Sequence, residues 1–184
     1  YVPLSKISPE MQDAQVAIED HRFYEHGAID FQGFGRAFLK TLTGDTQGAS
    51  TLTQQYVKLV RVEAAAAIND KEGVRKATET TIERKIVEAR YAMALEDRLT
   101  KEEILERYLN IAYYGDGAYG VEAAARHYFG TTAAKLTLPQ AAMLAGIVQN
   151  PVSLNPVKHP ERAIDRRDVV LNQMAKWGTI TEAE

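Results

Sequence analysis

Cysteine is absent from this 184-residue chain. That excludes a disulfide scaffold, a thiolate metal site and a cysteine nucleophile, and it fits any compartment. A basic excess is also missing. The 22 Lys and Arg residues against 25 Asp and Glu leave a formal charge of −3, which argues against a general nucleic-acid binder. Apolar runs are short, as in Ala64 to Ile68 and Ala141 to Val148, far below the ~20 residues of a membrane span. No signal-peptide pattern is present. The chain starts at Tyr1 without a methionine, so it reads as a piece of a longer protein. Runs of alternating β-branched residues are lacking, and strand signals are correspondingly scarce. The histidines are scattered at 21, 26, 127 and 159, and a five-residue separation of His21 and His26 suits no histidine metal site on one helical face. There is neither a GxxxxGK phosphate loop nor a GxSxG elbow.

What remains is an ordinary globular composition, 45% apolar and 26% charged, in a length that suggests one domain over residues 1–184. About 70% of the unfolded surface of such a chain can be buried, enough for a real core. Helical spacing dominates. Ser8-Pro9-Glu10 starts a helix with a capping hydroxyl and a first-turn proline, carrying Met11, Ala14 and Ile18 and reaching Phe23. Ser50 or Thr51 caps a second helix with Leu52, Tyr56 and Leu59. A long helix is predicted from about Val74 to Leu99, with Ile82, Ile86, Ala89 and Met93 on one apolar stripe. Thr100 and Glu103 form a capping box for Lys101 to Leu109. Thr137, Pro139 and Gln140 open a helix through Val148, and Pro160 opens the last one, through about Trp177. The alanine-rich, charged stretch Glu63 to Lys76 reads as a helical or mobile surface excursion. Glycine-rich or proline-rich loops are expected at Gly27 to Gly48, Asn110 to Gly120 and Gln149 to His159.

Several segments carry chemistry as well as structure. In Glu19-Asp20-His21-Arg22-Phe23-Tyr24-Glu25-His26, Glu19, Phe23 and His26 fall at i, i+4 and i+7 of a predicted helix. A carboxylate beside an aromatic and an imidazole is a candidate general base. The same spacing equally suits a solvated charged face with Phe23 in the core. Gly48-Ala49-Ser50-Thr51-Leu52-Thr53-Gln54-Gln55 runs a glycine turn into a helix start, with Lys58 eight residues after Ser50. Free N–H groups and the positive dipole end there suit an anion such as phosphate, although plain N-capping accounts for the same residues. Arg84-Lys85-Ile86-Val87-Glu88 is either an intrahelical ion pair or a carboxylate with a cationic clamp.

Taken in order, these segments resemble the peptidoglycan glycosyltransferases, family 51 of the glycosyltransferases. EDxxFxxH is matched by Glu19, Asp20, Phe23 and His26. GxSTxTQQ is matched by Gly48, Ser50, Thr51, Thr53, Gln54 and Gln55. RKxxE is matched by Arg84, Lys85 and Glu88, KxxILExYLN by Lys101 through Asn110, and RRxxVL by Arg166, Arg167, Val170 and Leu171. Arg75-Lys76-Ala77-Thr78-Glu79 also satisfies RKxxE. Glu88 is preferred because it precedes Glu106 by 18 residues, which is similar to the family spacing, against 27 for Glu79. Gly27 and Ala28 depart from the family's HxG.

The resemblance implies a mainly α, lysozyme-like fold with a large lobe and a smaller mobile jaw, roughly residues 28–75. Phe31, Phe34, Phe38, Leu39 and Leu42 would there partly face lipid. It implies polymerisation of lipid II into β-1,4-linked glycan with inversion and release of undecaprenyl pyrophosphate. Glu19 and Glu88 would be the catalytic carboxylates. Asp20, Phe23, His26, Arg36, Gly48, Ser50, Thr51, Gln54, Gln55, Lys58, Arg84, Lys85 and Asn110 would bind substrate. A divalent cation, Mg²⁺ or Mn²⁺, is the implied cofactor, reaching Glu88 through the pyrophosphate. The implied partners are lipid II, the growing glycan strand, the membrane surface, a fused transpeptidase domain and other cell-wall synthesis proteins, with no nucleic acid. The implied place is the extracytoplasmic face of a bacterial plasma membrane, with the anchor missing from this chain.

Overall fold

The computed structural model describes residues 1–30 and 50–184. Arg36, Gly48 and the apolar set from Phe31 to Leu42 lie outside the described residues. Those described are mainly helical and fall into two compact units. The first comprises Tyr1–His21 and Leu105–Glu184, the second Arg22–Ile104. No described helix is long and apolar enough to cross a membrane.

In the first unit, α1 (Pro9–Glu19) begins where the sequence places it: the Ser8 hydroxyl accepts from the Met11 amide at 3.2 Å, and Pro9 occupies the first turn. Most of α5 (Lys101–Ile111) belongs here, its first turn to the second unit. The Thr100–Glu103 capping box is present, with the Glu103 carboxylate accepting from the Thr100 amide at 2.8 Å. Then follow α6 (Val121–Phe129), α7 (Leu138–Ile147) and α8 (Pro160–Lys176). Helix α7 packs against both α1 and α8. Its residues Ala141, Ala142, Leu144, Ala145 and Ile147 are all buried, so it is the apolar centre of this unit. Gly146 permits the close approach of α8, since a Cβ there would meet the Arg166 Cγ at 2.9 Å.

The expected loop after α5 holds one isolated antiparallel bridge, Tyr113 to Tyr119. Its turn uses left-handed φ values at Gly115 (+89°) and Asp116 (+48°). Asp116 is fastened to the following proline-rich turn by the Lys158 ammonium, which donates at 2.8 Å. The Asp116 carboxyl is held down to about 2, chiefly by that hydrogen bond, and the Lys158 amine is raised by the same contact.

The second unit packs α2 (Leu52–Ala67) against α3 (Lys71–Thr78) and α4 (Ile82–Glu96). The predicted long helix from Val74 to Leu99 is therefore two helices. The Thr78 hydroxyl donates to the Val74 carbonyl at 2.9 Å, Glu79 turns extended, and Thr81 caps α4 by accepting from the Arg84 amide at 3.2 Å. The predicted apolar stripe is also corrected. Ile82, Ile86 and Met93 are 77%, 55% and 46% exposed, and α4 instead buries Arg84, Glu88 and Ala92. Apolar periodicity locates a face but cannot register that a buried ion pair occupies the opposite one. The alanine-rich stretch is helical, forming the end of α2 and then α3.

Candidate active site

Glu19 is the last residue of α1 and is half-buried. The helix stops there: Asp20 takes φ −159° and ψ 72°, and its amide donates to the Val16 carbonyl at 2.9 Å. The expectation that Glu19, Phe23 and His26 share one helical face is thus overturned, because residues 20–26 form turns. Glu19 has other neighbours in its unit. From α5, the fully buried Tyr108 hydroxyl is pushed far up, first by burial and then by the Glu19 charge. From α8, the Arg166 guanidinium is lowered by burial, and the Glu19 charge opposes that shift. A carboxylate at a helix C-terminus faces the negative end of the dipole, and Arg166 offsets it. His21 stacks on Trp177 with ring centroids 3.7 Å apart.

Asn110 serves the amino-terminal segment. Its oxygen accepts from the Val2 amide at 2.8 Å, and its Nδ2 donates to the Val2 carbonyl at 2.8 Å and the Glu106 carbonyl at 2.7 Å.

The second unit gathers a different set. The candidates left open for the cap of α2 resolve to Thr51, whose hydroxyl accepts from the Gln54 amide at 3.2 Å and donates to the Ala28 carbonyl at 2.9 Å. The Gln54 side chain reaches the same carbonyl at 3.5 Å. On α4, Arg84 donates to the Glu88 carboxylate and to the Glu79 carbonyl. Lys85 donates to the Ser50 hydroxyl, and its ammonium stands 3.4 Å from the other Glu88 oxygen. Glu88 is 1% exposed and Arg84 is 9% exposed. The arrangement is a buried carboxylate under two cations, opening at Ser50 beside a helix N-terminus. The rival pair Arg75 and Glu79 lies on the surface, where Arg75 also binds Glu72 at 2.6 Å. Lys58 is half-buried on α2, and Gln55 follows Gln54 in the first turn.

Phe23 is fully buried with the Lys101 ammonium 4.5 Å over its ring. Lys101 also donates to Glu96 at 2.8 Å, and Glu96 accepts from Thr53. This network was not singled out from the sequence, and neither were Tyr108 and Arg166 as neighbours of Glu19. Arg166 belongs to the RRxxVL motif, and that motif is the available signal. A shallow cleft of about 410 Å³ is lined by Arg22, His26, Asp30 and Met93 among others.

Both Glu88 oxygens are already matched to Arg84 and Lys85. A resident divalent cation bound directly there would crowd three positive groups on one carboxylate.

The chain matches the transglycosylase family over residues 1–175. It is 43% identical over 185 residues to penicillin-binding protein 1A of Escherichia coli, covering 100% of this chain and 20% of that protein. It is 41% identical over 184 residues to penicillin-binding protein 2D of Bacillus subtilis, covering 99% of this chain and 25% of that one. A Cupriavidus necator protein provisionally named a transglycosylase is 41% identical over 185 residues, with 100% and 74% covered. The chain thus spans a quarter or less of the two penicillin-binding relatives. From the site residues and these matches together, the chain belongs to the transglycosylase family.

Proposed function

We propose that this chain is a peptidoglycan glycosyltransferase domain that joins lipid II units into β-1,4-linked glycan strands, with inversion at the anomeric carbon and release of undecaprenyl pyrophosphate. The observation that carries this reading is the buried Glu88 beneath Arg84 and Lys85, with Lys85 directed to Ser50 at the start of α2. A hydrolase of neutral sugars has no need of such a cationic set, whereas a pyrophosphate leaving group is met by charge-assisted hydrogen bonds and a helix N-terminus.

An inverting displacement needs a base on the attacking side and charge stabilisation on the leaving side. Glu19 takes the proton from the 4-hydroxyl of the acceptor sugar as that oxygen attacks the anomeric carbon. Arg84 and Lys85 bind the departing pyrophosphate, and Glu88 holds both cations in place. Ser50, Thr51, Gln54 and Gln55 supply hydrogen bonds, and Lys58 adds a further positive charge. A divalent cation, Mg²⁺ or Mn²⁺, arriving with the pyrophosphate would supply further neutralisation of the leaving charge. Asp20, His26, Arg36 and Gly48 remain substrate-side candidates, whereas the buried Phe23 and the Asn110 amide, which is bonded to Val2 and Glu106, support the surrounding fold. The apolar set from Phe31 to Leu42 is proposed to meet the membrane on its extracytoplasmic side, where lipid II is presented. The similarity to penicillin-binding proteins supports a fused transpeptidase domain and other cell-wall synthesis proteins as partners.

The test is incubation with labelled lipid II in detergent with Mg²⁺, which should yield lysozyme-sensitive polymer. Glu19→Gln should bind lipid II and lose about 10²-fold or more in turnover. Folded protein that leaves lipid II unreacted would sink the reading.

A further inference from the structure

Lys101 and Glu96 form a pair that local rules disfavour. Glu96 is the last residue of α4 and Lys101 the first of α5, so each charge stands at the end of its helix where the macrodipole opposes it. The Lys101 and Glu96 side chains are only 18% and 14% exposed, and the ammonium donates to the Glu96 Oε1 at 2.8 Å. A pair that breaks the helix-end rule on both sides is held there by partners outside its own helices. The same Glu96 oxygen accepts from the hydroxyl of Thr53, which is fully buried. The Lys101 ammonium also lies 4.5 Å over the ring of the buried Phe23. Methionine would cover that ring with a stem of similar length, so packing alone does not call for the charge. Three of the ordered motifs thus meet through this pair, in Phe23, Thr53 and Lys101.

Thr53 stands in the first turn of α2, between Thr51, which caps the helix, and Gln54. That turn is held on a second side, where the Thr51 hydroxyl and the Gln54 side chain donate to the Ala28 carbonyl at 2.9 and 3.5 Å. On a third side, Lys85 donates to Ser50. All of these contacts lie within the second unit. The free N–H groups of a helix start bind an anion only where the backbone aims them, so the placement of this turn decides how well it holds one.

We infer that Lys101 is a positioning residue for the anion site at the start of α2, acting through Glu96 on Thr53. The ammonium fixes Glu96 against Thr53 and clamps both to the Phe23 ring, and residues 50–54 are thereby held in place for a pyrophosphate. The inference rests on the reading of that helix start as the pyrophosphate site.

The experiment uses the full chain with Lys101→Met, Lys101→Arg and Thr53→Val. Each is measured for thermal stability, for lipid II KM and kcat in detergent with Mg²⁺, and for binding of inorganic pyrophosphate by calorimetry. Lys101→Met keeps a stem over Phe23 and leaves Glu96 without its cation. Pyrophosphate affinity should then fall about tenfold or more, since small misplacements of a binding group are costly. KM for lipid II should rise by a similar factor, and kcat should fall less, because the lipid pyrophosphate is charged before the reaction as well as during it. Lys101→Arg should restore both values, since a guanidinium can meet the same carboxylate and ring. Thr53→Val removes the hydroxyl at nearly constant volume and should reproduce part of the loss; it decides alone if Lys101→Met fails to fold. Folded variants that lose stability but keep wild-type pyrophosphate affinity and KM overturn the inference and leave the pair a structural bridge, with the functional reading intact. If the wild-type chain neither binds pyrophosphate nor polymerises lipid II, the reading of the site falls and takes the inference with it.

Discussion

Removing the charge of Glu88 should unfold the second unit more easily than any surface change would. The carboxylate is 1% exposed, its first oxygen accepts from Arg84, and its second faces Lys85 at 3.4 Å. Glu88→Gln keeps the shape but leaves Arg84, itself buried, with the Glu79 carbonyl and one amide oxygen. The new amide nitrogen also meets the Lys85 ammonium, donor against donor. Breaking one side of a buried pair costs about 3–5 kcal/mol. Taking the lower figure, because Lys85 is half-exposed and solvent screens it, the loss is about 3 kcal/mol. For a chain of this size that is roughly 6–12 °C in Tm. Arg84→Met should cost a similar amount, since it leaves Glu88 buried with only Lys85. The double variant Arg84→Met with Glu88→Leu should recover much of the loss, because apolar replacement of a whole buried pair is often neutral. Calorimetry on wild type, Arg84→Met, Glu88→Leu and their double variant reads the cycle directly. Additive single and double losses would refute the account of Glu88 as a mutually neutralised buried carboxylate. The same double variant tests function apart from fold: it should be folded and unable to polymerise lipid II.

Glu79→Gln should leave polymerisation and stability near wild type, since its partner Arg75 is exposed and keeps Glu72; a loss comparable to Glu88→Gln would move the carboxylate to the other register. Gly146→Ala should cost about 1–3 kcal/mol by forcing a methyl against the Arg166 stem, read by urea unfolding, and wild-type stability would contradict the close contact of α7 and α8. The Asp116 carboxyl is depressed on folding, so its contribution is present above the unfolded value of about 3.9 and fades as pH falls toward about 2. Asp116→Asn should therefore be less stable than wild type at pH 7 and equal to it at pH 2 by urea titration; a difference that persists unchanged at pH 2 would assign the effect to something other than the charge.

Much of the helical outline was legible without coordinates, because caps are local. Ser8 with Pro9, Thr100 with Glu103 and Thr137 with Gln140 each start a helix through bonds made within three residues. The break at Glu79 was hidden, because apolar periodicity ran across it and the Thr81 cap was read as helix interior. The end of α1 at Glu19 was hidden for the converse reason: the i, i+4, i+7 spacing continues to His26 whether or not the backbone stays helical.

Site residues divide along the same line. Ser50, Thr51, Arg84, Lys85 and Glu88 could be named from motif order, but no spacing shows that Lys85 reaches Ser50 or that the apolar face of α4 is the exposed one. The sequence by itself determined the helix starts, the ordered polar motifs and the family they resemble, since these depend on residue type at short separations. Only the tertiary structure decided which face of α4 is buried and which side chains surround Glu19. Burial and the partners of a charge are set by helices far apart in the chain, and short-range patterns carry no record of them.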